Sequence, residues 1–180
     1  MRNIETKVKV DNLSGLLEGL HLLGANKKET LHQIDTYFNT SQGRLKLREI
    51  DGSHYELIYY ERPDTESSKI SNYEVSKIGV RSVKFLKNIL AKTLGIKVIV
   101  EKKRELWMYK NTRIHLDEVK NLGFYVELET MVNGDSFLEA REEHDYVAKP
   151  IDLSRYYHCK KSYSDILEGN KSIEGKKLIA

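Results

Sequence analysis

The 180-residue sequence predicts a mainly β, α+β fold: a closed eight-stranded antiparallel β-barrel tunnel, built from two βαβββ halves with helices packed outside. Three observations predict it. Apolar and polar residues alternate at strand period through most of the chain. The order strand, helix, three strands occurs twice at an offset of about seventy residues. Turn signals at Asn39 to Gly43 and at Asp51-Gly52 separate consecutive strands.

Residues 2–10 alternate as a first strand. Leu13, Leu16, Leu17, Leu20 and Leu23 then fall at helical spacing between Asn12, an N-cap candidate, and a terminating Gly24. Strands follow at about 31–38, 44–50 and 54–62 and complete the first half. The second half repeats the order with a strand at 72–78, a helix near 82–94 stopped by Gly95, and strands at about 96–109, 112–119 and 124–132. Glu5 matches Glu74, Gly24 matches Gly95, and Arg44-Leu45-Lys46-Leu47-Arg48 matches Arg113-Ile114-His115-Leu116-Asp117. Asp135 reads as the N-cap of a third helix from Phe137 to Val147, and Ser162 to Leu167 as a short terminal segment. One domain over residues 1–168 and a mobile tail over 169–180 are expected.

A hydrophobic fraction of 39% and a charged fraction of 32% suit a soluble globular chain, and no apolar run reaches the roughly 18 residues of a membrane span. The N-terminus lacks the apolar core of a secretory signal, and the single Cys159 suits a reducing compartment, so a cytoplasmic location is expected. A net charge of +3 from 30 basic and 27 acidic side chains gives little reason to expect nucleic-acid binding. The Walker loop and the GxGxxG fingerprint are absent, and Cys159 with the six histidines forms no zinc spacing.

Charge is segregated by strand. Alternate residues share a face, so Arg44, Lys46 and Arg48 form one row and Leu45 and Leu47 the opposite one. Further rows are Glu5, Lys7 and Lys9; Lys102 and Arg104; Arg113, His115 and Asp117; and Glu127 and Glu129. An isolated row of this kind is ordinarily a solvated face, but solvated faces mix their signs. Rows pointing into a barrel would need a ligand of complementary charge, because an unpaired buried charge costs several kcal/mol. A polyphosphate with a divalent metal fits: arginine forks and lysines suit phosphate oxygens, and carboxylates suit Mg²⁺ or Mn²⁺.

These residues resemble the CYTH superfamily of triphosphate tunnel enzymes, which includes class IV adenylate cyclases, thiamine triphosphatases and inorganic triphosphatases. The likeness runs from Asn3 to about Leu167. It rests on Asn3-Ile4-Glu5-Thr6-Lys7-Val8-Lys9, Gln33-Ile34-Asp35-Thr36-Tyr37-Phe38, Gly43-Arg44-Leu45-Lys46-Leu47-Arg48-Glu49, Lys103-Arg104-Glu105-Leu106-Trp107, His115-Leu116-Asp117-Glu118-Val119 and Val126-Glu127-Leu128-Glu129. The resemblance implies Glu5, Asp117, Glu127 and Glu129 as metal ligands and Lys9, Lys46, Arg48, Arg104 and Arg113 as phosphate ligands. Arg62 and Lys161 are further candidates, and Lys7, Arg44 and Lys102 of the same rows complete the phosphate-binding set. One departure stands out: the family's Glu-x-Glu-x-Lys signature is here Glu5-x-Lys7-x-Lys9.

The implied activity is Mg²⁺- or Mn²⁺-dependent hydrolysis of a triphosphate small molecule, inorganic, thiamine or nucleoside, by a monomer or homodimer acting without nucleic acid or membrane. The alternatives are a class IV adenylate cyclase making cyclic AMP and pyrophosphate, and a noncatalytic polyphosphate- or nucleotide-binding module.

Overall fold

Strong alternation gives strands β1 (Arg2–Val10), β2 (Asn26–Phe38), β3 (Arg44–Ile50), β4 (His54–Glu61), β5 (Asn72–Ile78), β6 (Ile96–Tyr109), β7 (Thr112–Val119) and β8 (Gly123–Val132) in the computed structural model. That structure describes residues 2–61, 72–132, 134 and 136–177, so Arg62 and the expected Asp135 cap lie outside the described residues. Helical spacing gives α1 (Leu17–Leu23), entered through a 3₁₀ turn, α2 (Val80–Leu94), α3 (Phe137–Ala148) and α4 (Tyr163–Lys177). Asn12 Oδ1 accepts from the Gly15 amide at 3.3 Å at the start of that turn, and Gly24 ends α1 with a left-handed φ of 75°.

All strand pairings are antiparallel, and the hydrogen-bonded order is β5-β4-β3-β2-β6-β7-β8-β1-β9, where β9 is the two-residue Tyr157–His158. Both repeats are visible in that order. The long second strands, β2 and β6, pair at the centre, and each half then runs outward through its third and fourth strands. The first strands are exchanged: β1 pairs with β8 of the second half, and β5 pairs with β4 of the first.

The structure departs from the expected closed eight-stranded barrel. The outer edge of β1, where closure by β5 would occur, is taken by β9, and the Cys159 amide donates to the Lys7 carbonyl at 2.7 Å. Among the described residues β5 and β9 therefore remain the two edges of an open sheet. Curling is nevertheless strong, since Tyr60 of β4 and Glu5 of β1, far apart in the strand order, line one cavity. β2 also begins at Asn26, ahead of the expected start, because the exposed and unpatterned Asn26–Thr30 pairs with the end of β6.

Helices cover both faces. On the outer face α1 and α3 pack over β1, β7 and β8 through Leu16, Leu20, Val147, Val8, Ile114 and Leu128. Burying each such side chain stabilises the fold by about 1.5–3 kcal/mol. Gly19 permits the close approach of α1 to the segment after α3: a Cβ there would lie 2.3 Å from the Pro150 carbonyl oxygen. On the same face α2 packs over β2 and β3 through Val83, Phe38 and Leu47. In contrast with the expectation that helices pack outside, α4 lies against the inner face, where Tyr163 and Leu167 join Tyr37, Val98, Val100 and Tyr125. The helix also continues past Leu167 to Lys177, through most of the expected tail.

Candidate active site

Alternation on β1, β2, β3, β6, β7 and β8 directs one set of side chains into a cavity of about 350 Å³ on the concave face of the sheet. Glu5, Lys7, Arg113, Glu127 and Glu129 line one side, and Lys46, Arg48 and Lys102 the other, with Arg104 between them. Leu31, Val100 and Leu106 are the aliphatic exceptions in a wall that is otherwise polar or aromatic.

Strand register pairs the charges. Asp35 on β2 lies opposite Arg48 on β3, and its oxygens accept from Arg48 at 2.8 and 2.9 Å and from Lys46 at 2.9 Å. Burial alone would raise the Asp35 pKa; Lys46 and Arg48 outweigh it and hold the carboxyl well below its ordinary range. Arg104 on β6 likewise lies opposite Asp117 on β7 and donates to both its oxygens at 2.7 and 2.6 Å. Burial would raise the Asp117 pKa as well, but Arg104 and Lys102 bring it down to about 2. Arg104 also donates to Glu127 at 2.9 Å, and Lys7 approaches the other oxygen of Glu127 at 3.0 Å. Burial lowers the Lys102 pKa to about 7, and the neighbouring Arg104 pushes it the same way.

The acidic side holds a different arrangement. Glu5 and Glu129 face each other directly across β1 and β8, a pairing that repels unless a cation lies nearby. Arg113 approaches Glu129 at 3.2 Å. His115, 5% exposed, presents an Nδ1 without a hydrogen-bond partner, 3.8 Å from Glu127 Oε2 and 3.9 Å from Glu129 Oε1. The carboxylates of Glu127 and Glu129 on β8 converge with the unpartnered buried nitrogen of His115 on β7, a set that fits a divalent cation.

Behind this acidic side the outer face carries a polar network. His144 on α3 contacts Thr6 Oγ1 at 2.8 Å through Nε2 and Thr130 Oγ1 at 2.9 Å through Nδ1. Thr130 contacts Thr112 at 2.9 Å, and Thr112 donates to Glu143 at 2.7 Å. Because the carboxylate only accepts, donation runs from Thr130 to Thr112 and from His144 Nδ1–H to Thr130, and in a neutral ring Nε2 then accepts from Thr6. Burial favours that neutral ring by lowering the His144 pKa to about 4.

Of the residues expected at the site, Glu5, Lys7, Lys46, Arg48, Lys102, Arg104, Arg113, Glu127 and Glu129 line the cavity together. Asp117 sits behind the wall, fully buried, holding Arg104 and accepting from Tyr163 Oη at 2.9 Å. Lys9 is exposed with its ammonium 5.9 Å above the Tyr125 ring, and Lys161 is exposed outside the cavity. Arg44 pairs with Asp165 of α4 at 3.0 Å, away from the main cavity. Sequence reasoning missed Gln33, Asp35, Tyr37, Tyr60 and Tyr163. The first three alternate along β2 and were accessible to the same face argument. Tyr163 arrives through docking of α4, for which strand periodicity carries no signal.

Comparison with known proteins agrees with the fold. The CYTH domain family profile matches residues 1–157, and the chain belongs to that family. A Methanocaldococcus jannaschii protein named "Putative adenylate cyclase" is 26% identical over 179 residues, 92% of this chain and 98% of that protein. A solved Pyrococcus furiosus conserved hypothetical protein superposes with a TM-score of 0.74 at 23% identity, covering 91% of this chain and 98% of its own. The adenylyl cyclase-like protein of Hippeastrum, whose structure is described as revealing a dominant triphosphatase activity, has a TM-score of 0.67 at 14% identity, covering 93% and 96% of the two chains. Among the described residues no helix is long and apolar enough to cross a membrane.

Proposed function

We propose that the protein is a divalent-metal-dependent triphosphatase whose curled sheet acts as a tunnel for the triphosphate chain of a small molecule. The observation that carries this reading is the uneven charge of one cavity: Lys46, Arg48 and Lys102 gather around the single carboxylate of Asp35, and three carboxylates, Glu5, Glu127 and Glu129, gather opposite with Lys7 and Arg113 among them. Charged side chains make up about half of the wall and suit phosphate oxygens, and the sequence carries no nucleobase motif, which together favour hydrolysis ahead of cyclisation.

In this reading Lys46, Arg48, Arg104 and Arg113 take the phosphate oxygens, with Asp35 and Asp117 holding the guanidinium planes of Arg48 and Arg104 in place. Glu5, Glu127 and Glu129 would hold Mg²⁺ or Mn²⁺, and Asp117 would act through Arg104. Once bound, the metal would neutralise charge on the terminal phosphates and polarise phosphorus towards water. The side chains orient the chain for in-line attack and offset charge on the equatorial oxygens. Because Asp35 and Asp117 already fix the planes of Arg48 and Arg104, these cations are preorganised for an entering anion.

Incubation with Mg²⁺ or Mn²⁺ and tripolyphosphate, thiamine triphosphate or ATP, resolving phosphate, pyrophosphate and cyclic AMP, tests the reading. Metal-dependent release of phosphate is expected. Cyclic AMP with pyrophosphate from ATP would select the cyclase, and binding without turnover the noncatalytic module.

A further inference from the structure

We propose that His115 Nδ1 is a metal ligand, so that this chain holds one divalent ion in a mixed nitrogen–oxygen set with Glu127 and Glu129 and favours ions that accept imidazole nitrogen, such as Co²⁺ or Zn²⁺, over Mg²⁺. The inference deepens the triphosphatase reading by specifying the ion class of its metal side.

Three observations support it. His115 is buried and aimed into the cavity, yet its Nδ1 lacks a hydrogen-bond partner, an arrangement that costs free energy unless something else occupies the lone pair. The carboxylate oxygens at 3.8 and 3.9 Å are too distant for hydrogen bonds. With metal–ligand bonds of about 2.1 Å, however, two ligands of one ion lie at most about 4.2 Å apart, so one ion can touch all three groups after small side-chain rotations. Finally, Lys7 stands 3.0 Å from Glu127 Oε1 and Arg104 donates to Oε2 at 2.9 Å, so Glu127 would share Oε2 between Arg104 and the metal, while Glu129 turns its Oε1 towards His115. Imidazole nitrogen suits the later first-row ions, whereas Mg²⁺ prefers an all-oxygen shell.

The test uses the metal-stripped full chain with Co²⁺ alone and Mg²⁺ alone, measured by calorimetry for the wild type and His115→Gln. The expected result is Co²⁺ affinity reduced by about tenfold or more in the variant while Mg²⁺ affinity changes by less than about threefold. Proton NMR of the Co²⁺-loaded wild type should show a far-shifted, solvent-exchangeable imidazole N–H signal, and His115→Gln should lack it. Equal Co²⁺ affinity in the two proteins, or absence of that signal from the wild type at saturating Co²⁺, overturns the proposal. The NMR result stands even if the variant fails to fold. Since neither measurement uses a substrate, loss of this inference leaves the triphosphatase reading standing, and failure to hydrolyse any triphosphate leaves the ligand assignment intact.

Discussion

The two halves of the sheet carry the same ion pair with its signs exchanged. An offset of 69 residues relates Asp35 to Arg104 and Arg48 to Asp117. In the first half the acid is on the second strand and the base on the third; in the second half the base is on the second strand and the acid on the third. Their surroundings also differ. Asp35 has Lys46 as a second close cation, and Arg48 is partly open to the cavity. Asp117 is sealed by Tyr163, and Arg104 extends to Glu127. A duplicated backbone can thus preserve pairing geometry while assigning the two sides of one cavity opposite chemistry, provided that register keeps each charge beside its partner.

Breaking the two pairs should expose that difference most strongly. Arg104→Ala leaves a fully buried Asp117 with only a distant lysine and a phenol, and should cost about 3–5 kcal/mol. Arg48→Ala leaves Asp35 paired with Lys46, and its loss should be smaller by about 1–2 kcal/mol. Urea unfolding of both variants at neutral pH measures this, and equal losses would mean that the two environments are energetically alike.

Kinetics should divide along the same line. Glu127→Gln and Glu129→Gln remove negative charge from the acidic side with little change in shape, and metal-dependent turnover should fall by about 100-fold with the circular dichroism melt retained. On the phosphate-binding cations, Arg48→Ala and Arg113→Ala should raise KM by about 10- to 100-fold, with the stronger salt dependence at Arg113, whose side chain is 35% exposed against 20% for Arg48. Steady-state assays across metal and salt concentrations distinguish the two patterns.

The two sides are also backed differently. Behind β2 and β3 lie Phe38, Leu47 and Val83, which do not titrate, whereas behind β1, β7 and β8 lies neutral His144. Its pKa is lowered to about 4 in the folded chain. The unfolded chain therefore binds more protons between about pH 6.5 and 4, and His144's contribution to stability is lost as pH falls through that window. A loss of about 2 kcal/mol is expected in urea melts of the wild type, and His144→Gln should flatten that part of the profile. A profile unchanged by the substitution would remove His144 as its cause.

Much of this contrast was legible in the chain. The charged rows of β3, β6, β7 and β8 identified the cavity face because strand period is read from nearest neighbours, and the repeat revealed which rows correspond. The Asp35–Arg48 and Arg104–Asp117 pairs were hidden because they depend on register between strands, which alternation leaves open. For the same reason the chain carried no sign that the oxygens of Asp117, a metal ligand by family resemblance, are committed to Arg104. Lack of closure was hidden too: β9 is only two residues long, below what periodicity can resolve. The inner placement of α4 depends on aromatic packing by Tyr163 rather than on any local pattern.

Lys7 gives the smallest expected change and the finest test of how the halves differ. It faces Glu127 across β1 and β8 and lies 4.4 Å from the Tyr163 ring centre, so its ammonium is held by a carboxylate and a π-face. The matching position in the family signature carries a carboxylate, and a cation there takes charge compensation that a second metal would otherwise supply. Lys7→Glu should therefore raise Mn²⁺ stoichiometry from one ion to about two in the presence of a nonhydrolysable triphosphate, with Glu5, the new carboxylate and Glu127 sharing the added ion. Turnover at saturating Mn²⁺ should change by only a few fold, because the basic side is untouched. Calorimetric Mn²⁺ titration of both proteins decides the point. Unchanged stoichiometry together with weaker triphosphate binding would instead make Lys7 a phosphate ligand, and the acidic side would then share the anion-binding work of its counterpart.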